Sequence, residues 1–560
     1  MNRNSQSAAH DYATTVKSPR LWQWPVSAVF LLLCLGALPG AFAKSLFPNE
    51  DVYIPELFFA SGVHRYAGDW SLQHSRSDRL LFNFLFLPLG RTGDPGLVSL
   101  IGRPIAWVAV LGPMWILMRR VGIRSPVLGV SVLFFWIVVF PYTMSQEWVI
   151  GAFEAKTFAY GALLLMIICV MNKKTWLAAL LVVAAGGMHG IVGLWTLVTF
   201  MAASAAARTP KKTLLAAQAA AAAGLAIVLL PAFHATSTPN TERNALNLRI
   251  FTKVLWGNHF DPLQFPKVRV LGFALVCLGE IVVVLTHFGS SARDSHDPAW
   301  RVLGAAELAC AGSVVVGLLA TMMDSDRVLL LMPMRTGSVL IPLIALIRCA
   351  HLISTRNVLC SYAGDPKTDV RSVGPLLRNT NSASVLIGVA LVFAGLLATP
   401  LRFPTYRLSL LELPFRAPDI TDEDRAQSWA RASLPENAVV ATDPSFASFA
   451  KVERALVAVY RAAPPEDLDE WQERMFALTG IDLGTLNPND PTMQKRIHRI
   501  PQELSDGFNN RPFVEAQMWR QKYGVTEIIT RASYPLPVLK KFGLVSVYQL
   551  SPVRGTTNFD

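Results

Sequence analysis

Hydrophobic and polar positions fall into long alternating blocks along this chain. Apolar runs near twenty residues long recur from Trp22 to about Pro400, divided by short polar or basic stretches. A helical run of that length crosses roughly 30 Å of hydrocarbon. The first run, WPVSAVFLLLCLGALPGAFA, follows Lys17 and Arg20 and ends in Ala41-Phe42-Ala43, which resembles a signal-peptidase site. The polar stretch before it is long for a signal peptide, so a retained helix is expected. Further spans are expected at 97–118, 126–144, 149–171, 175–188, 190–207, 213–233, 268–288, 301–323, 327–350 and 383–400. The pattern predicts a polytopic α-helical membrane protein of about 11 spans.

Two stretches depart from the rule. Residues 175–207 start and end beside basic clusters, yet are too short for two full spans and a loop. The glycines of AAGGMHGIVG predict two short helices that reverse at His189, as is tolerated where backbone is buried in protein or lines a cavity. RLLFNFLFLPLG, inside the loop 44–96, is too short to span and reads as an interfacial segment. Beyond Pro400 the period changes. NAVVATDP, RALVAVY, VTEIITR and LVSVYQL are strand-like, and PEDLDEWQERMFALTG and PFVEAQMWRQKYG are helix-like. Residues 401–560 therefore predict a soluble α/β domain on a small, mostly parallel sheet. No Gly-rich phosphate loop follows its strands, so no nucleotide site is expected.

Composition agrees with this division. Only 16% of the 560 residues are charged, against about 25% in soluble domains. The net charge of +12 is uneven: the tail holds 19 Lys+Arg and 20 Asp+Glu, leaving 32 basic and 19 acidic residues before it. Basic residues cluster after every second crossing, at Arg119, Arg120 and Arg124, at Lys173 and Lys174, at Arg208, Lys211 and Lys212, at Arg293, and from Arg348 through Arg356, Lys367, Arg371 and Arg378. That is the positive-inside pattern, not the footprint of nucleic-acid binding. It places residues 1–21 in the cytoplasm, and the loops 44–96 and 234–267 and the tail outside. None of the six cysteines lies in the tail, so no disulfide framework is expected there.

Several polar groups fall on that outer side. Glu50 and Asp51 are adjacent; either could accept a proton from an acceptor or coordinate a divalent cation, or both could simply open a helix. Glu147, Glu154 and Lys156 stand at the entry to a span; Glu154 and Lys156 are two apart, share no helix face, and are expected to have separate partners. His189 sits in the Gly-rich break, where it is either a structural residue or a ligand. His259 and Asp261 could complete a metal site with it, although no HxH or HExxH spacing supports one. Arg335 lies in the apolar stretch LLLMPMRTGSVLIPL and requires an anion: a lipid-linked phosphate, or Glu154, Asp324 or Asp326 within the protein. In the tail, Arg454, Tyr460, Arg461, Trp471 and Arg474 could bind sugars or form a helix–sheet interface.

An acidic pair in the first outer loop, many spans and a soluble outer domain resemble the GT-C glycosyltransferases. GAFEAKTFAY, MHGIVGLW, LMPMRTGSVLIPL and ERALVAVYRAAPPEDLDEWQERM are similar to segments of a poorly characterised bacterial family with a GT-C-like core. The resemblance implies a polyprenyl-phosphate-linked sugar donor, a lipid, glycan or protein acceptor, and a place in the bacterial inner membrane. It implies Asp51 or Glu50 as base, Arg335 on the donor phosphate, and Glu154, Lys156 and His189 along the cavity; His259 of the outer loop is a further candidate for substrate contact. GT-C acids are often separated by one residue; here they are adjacent. A non-enzymatic flippase, assembly factor or lipid-binding protein for envelope glycans is the competing expectation.

Overall fold

The structure is a computed structural model that describes residues 49–550 apart from 67, 75–78, 140–143, 146, 148, 237–241, 286–296, 364–381, 403–420, 465–466, 488–489, 491–495 and 498. The first expected span, its signal-peptidase-like end and the basic residues Arg293, Lys367, Arg371 and Arg378 lie outside the described residues.

Helices dominate. In chain order the longer ones are α1 (Glu50–Ala60), α2 (Leu80–Gly90), α3 (Pro95–Arg120), α4 (Pro126–Val139), α5 (Ala155–Met171), α6 (Thr175–Met188), α7 (Gly190–Ala206), α8 (Lys211–Thr236), α9 (Glu242–Ile250), α10 (Lys267–Val283), α11 (Pro298–Met322), α12 (Pro333–Ala363) and α13 (Ser382–Arg402). Among the described residues four are long and apolar enough to cross a membrane, over Pro95–Arg120, Lys211–Leu230, Pro298–Met322 and Pro333–Ser354; shorter apolar helices accompany them. That composition fits a membrane protein.

Local chemistry explains the boundaries. Asp94 caps α3 by accepting from Gly96 N (2.8 Å) and Leu97 N (3.2 Å), and Asp297 caps α11 through Ala299 N (2.8 Å); each is followed by proline at the first helical position. Proline lacks the amide that would be orphaned there. α3 ends in Arg119 and Arg120, cations that suit a helix C-terminus. The expected break is present. His189 is extended (φ −156°, ψ 109°), ending α6 and opening α7. Gly186 and Gly193 meet across it, and a Cβ on Gly193 would overlap the Gly186 backbone. α10 and α13 lie equally close: a Cβ on Gly272 or Gly279 would stand 2.6 Å from the carbonyl oxygen of Gly395 or Gly388. Seven-residue spacing on both helices makes this an antiparallel seam of small residues.

Helix α12 is the centre of the bundle. Its apolar window is 94% buried, against 22% for α8, so α12 is enclosed by protein and α8 is peripheral. Arg348, counted above with a cytoplasmic basic cluster, is corrected by its place inside α12: it is buried and ion-paired within the bundle.

The tail contains α14 (Asp422–Ser433), β1 (Val439–Thr442), β2 (Ala455–Leu456), α15 (Leu468–Thr479), α16 (Ile500–Asn509), α17 (Phe513–Tyr523), β3 (Glu527–Thr530), β4 (Val538–Phe542) and β5 (Val545–Gln549). The sheet order is β2-β1-β3-β5-β4. β1 pairs in parallel with β2 and β3, whereas β3–β5 and β5–β4 are antiparallel, so the expected mostly parallel sheet is half antiparallel. The cause is the β4–β5 hairpin around Gly543 (φ 54°), whose first strand, VLKKF, is solvated and lacks the apolar signal of a buried strand.

The tail docks on the segment 49–74. Asp51 Oδ1 accepts from Ser448 Oγ (2.6 Å) and Ala450 N (2.9 Å). The Tyr66 hydroxyl donates to Phe449 O (3.3 Å), and Arg65 pairs with the buried Glu453. Asp69, wholly buried, accepts from Leu72 N (3.0 Å) and from Leu456 N of β2 (2.8 Å). Asn247 of α9 bonds Asp469, and Ile250 and Val254 join the tail core around Trp471. These segments and the tail therefore share one side of the helical bundle.

Candidate functional site

The strongest concentration of buried charge lies where α1, α5 and α12 begin. The described residues between 147 and 154 are non-helical, and 149–153 are pinned from three directions. Trp107 Nε1 donates to Gly151 O (3.3 Å), Thr157 Oγ1 to Val149 O (2.7 Å), and Phe153 N to Glu50 Oε1 (2.8 Å). Glu154 ends this segment in an extended conformation (φ −133°, ψ 141°). Its side chain therefore turns back on Lys156, with Oε2–Nζ at 2.9 Å. The expectation of separate partners is thus corrected: helical spacing does not apply to a residue that precedes the helix. Glu154 Oε1 also accepts from Asn49 Nδ2 (3.0 Å).

The network continues from Lys156 Nζ to Glu147 Oε1 (3.8 Å), and from Glu147 Oε2 to Arg335 Nε (2.7 Å). Four charges thus alternate in sign, Glu154–Lys156–Glu147–Arg335, and sum to zero. All are buried or nearly so. Glu147, rather than Glu154, Asp324 or Asp326, is the anion that meets Arg335. The two aspartates are engaged elsewhere: Asp324 pairs with Arg249 and Lys253, and Asp326 accepts from Thr252 (2.8 Å). The connection into α12 places two non-glycine residues, Asp324 (φ 53°) and Met332 (φ 45°), in the left-handed region. Such residues cost of order 1–3 kcal/mol each. Met332 closes the turn three residues before Arg335, and Trp195 Nε1 holds the same turn through Leu331 O (2.8 Å).

His259 borders this network. Its Nδ1 lies 3.3 Å from Ser145 O, Ser145 Oγ is 2.5 Å from Ser338 Oγ, and Ser338 Oγ donates to Arg335 O (2.8 Å). Burial, with the Arg335 and Lys156 cations nearby, pushes the His259 imidazole down to about 3. It is a neutral ring at physiological pH. His189 takes a different place, as the buried junction of α6 and α7. Asp261 accepts from Leu263 N (3.0 Å) and caps a short turn. Among the described residues no group of three or more His, Cys, Asp or Glu side chains is gathered to hold a metal ion.

The adjacent acids point apart. Glu50 is fully buried and takes a two-point ion pair from Arg103, at 2.7 Å (Nε–Oε1) and 2.5 Å (Nη2–Oε2), together with Ser99 Oγ (3.0 Å) and Phe153 N. Both of its oxygens are thus occupied by donors from α3 and the segment before α5. Glu50 thereby clamps α1 to α3 and to Phe153. Arg103 was missed, although a charged residue two turns inside the run 97–118 is the same signal that picked out Arg335. Asp51 is the tether to the tail described above. In the tail, Arg454 donates to Pro435 O (2.6 Å) and Arg431 O (3.0 Å), and Arg474 lies over the Trp70 and Tyr523 rings at 4.5 and 4.7 Å. Trp471 Nε1 donates to Val459 O (3.1 Å). These residues form a packing and docking interface.

No protein-family model matches the chain, and no curated protein matches it. Fold and site together define its class: a largely helical protein of membrane character, with a small sheet domain docked beside a buried, charge-balanced network.

Proposed function

We propose that the chain is an integral membrane glycosyltransferase that moves a sugar from a polyprenyl-phosphate donor to a lipid, glycan or protein acceptor. In this reading it has about 11 spans in a GT-C-like arrangement, a cytoplasmic N-terminus and a periplasmic tail in the inner membrane. The observation that carries it is the Lys156–Glu147–Arg335 bridge at the start of α12. Two cations held by one exchangeable carboxylate can release it and take a phosphate in its place, and Arg offers a two-point fork to that phosphate. The acceptor oxygen then bonds to the anomeric carbon, the carbon–oxygen bond to phosphate breaks, and polyprenyl phosphate leaves with its charge stabilised by Arg335 and Lys156. The acceptor proton passes to Asp51, the member of the acidic pair not clamped by Arg103. A divalent cation could share the phosphate. His259 serves as a wall of the site.

The test is transfer of label from a radiolabelled polyprenyl-phosphate sugar. Arg335→Gln is expected to lower turnover about 10²–10³-fold. Unchanged activity in Asp51→Asn removes the base assignment. A non-enzymatic lipid-binding, flippase or assembly role has one observation in its favour: both carboxylates of the network, Glu147 and Glu154, are already ion-paired. Saturable binding of polyprenyl phosphate with no transfer to any acceptor would select that role.

A further inference from the structure

A second buried ionic group lies at the other end of α12. Arg348 pairs with Glu280 of α10 and with Glu307 of α11 (Nη1–Oε2 2.7 Å). Arg348 and Glu280 are each about 5% exposed, and Glu307 only 14%. The Arg348 guanidinium also lies 5.9 Å from the Trp300 ring centroid, and the His351 ring packs edge-on against the same indole at 4.9 Å. Among the described residues, Arg348 is the single ion-pair partner of either carboxylate, through Glu280 Oε1 and Glu307 Oε2, and Glu280 Oε2 accepts no hydrogen bond.

The charges do not balance. Two ionised carboxylates around one guanidinium leave a net negative charge among apolar helices, and burying an uncompensated carboxylate costs several kcal/mol. Among the described residues, no second cation pairs with either acid. α10 adds only Cys277 near this level; α11 adds Arg301 and Cys310; α12 adds Cys349 and the ring-stacked His351. α4 carries no titratable residue, and α13 only Arg402 at its C-terminal end. The least costly way to neutralise the excess is a proton.

We propose that Glu280 and Glu307 share one bound proton beside Arg348, forming a proton-binding site inside the helical bundle, separate from the Glu147–Arg335 network. The proton joins α10, α11 and α12 at the end of α12 remote from Arg335. Thirteen residues of helix separate Arg335 from Arg348, a rise of about 20 Å. Proton uptake at one end of α12 thereby sets how firmly that helix is held while its other end carries the Arg335 bridge. This inference does not depend on the transferase reading.

Infrared spectroscopy of the full-length protein in lipid nanodiscs tests it. Wild type is expected to show a protonated-carboxyl C=O band at neutral pH. Glu280→Gln and Glu307→Gln should each lose that band, because each leaves a one-to-one ion pair with Arg348. The double variant should unfold at a lower temperature than either single variant, since it strands the guanidinium; this second measurement also shows that the singles fold. A wild type without the band, or a band that survives in either single variant, overturns the proposal.

Discussion

The most consequential residue is Glu50. Adjacent to Asp51 at the start of α1, it is enclosed by Arg103, Ser99 and Phe153. Breaking a buried pair by removing one partner costs about 3–5 kcal/mol. Arg103→Met should lower stability by that order in thermal or denaturant unfolding, and adding Glu50→Gln should restore part of the loss, because no buried anion then remains. A simple additive loss in the double variant would contradict the clamp. The clamp was half legible: the run 97–118 shows an arginine out of place. Its partner was not legible, because Glu50 and Arg103 meet only when α1 folds against α3. His259 shows the same limit. As an isolated side chain it would titrate near neutrality, but in the fold burial and two cations hold it neutral down to about 3. Titration of His259 followed by NMR should therefore show no step between pH 5 and 8; a step in that window would place the ring in solvent.

Glycine contacts decide the helix pairs. Gly279 lies against Gly388 with no room for a side chain, whereas a Cβ on Gly312 of α11 meets nothing within 4 Å. Gly279→Leu should force α10 from α13 and cost about 1–3 kcal/mol or more. Gly312→Ala should be neutral or stabilise by up to about 1 kcal/mol through helix propensity. Equal effects of the two in a thermal-unfolding assay would refute the seam. The α6–α7 break at His189 was readable, because glycines within a run too short for two spans leave few alternatives. Both helices begin and end where the pattern places them, to within a residue or two. The Glu154–Lys156 pair was misread because the helical rule was applied one residue too early, to the extended cap of α5.

Across the whole molecule, the segment 49–74 joins bundle to tail. Asp69 is the buried centre of that joint, and burial raises its carboxyl to about 6. The unfolded chain releases this proton near pH 4, so folding takes up a proton between those values. Stability from Asp69 is therefore present at low pH and lost as pH rises through about 6. The wild-type-minus-Asp69→Asn difference in unfolding free energy should fall across pH 4–6 and level off above about 7. A difference flat with pH would mean that Asp69 is solvated and the tail undocked.

By itself, the sequence determined the apolar blocks, the reversal at His189, the tail's separate composition and most of its strands. These follow from local rules: helix period, capping, glycine freedom and alternation. Only tertiary structure decided which charge meets which. Glu147 reaches Arg335 across 188 positions, Glu50 reaches Arg103 across 53, and Asp51 reaches Ser448 across 397. A buried charge requires a partner from the moment it leaves water, which sequence can state. The partner's identity is set by packing among helices distant in the chain.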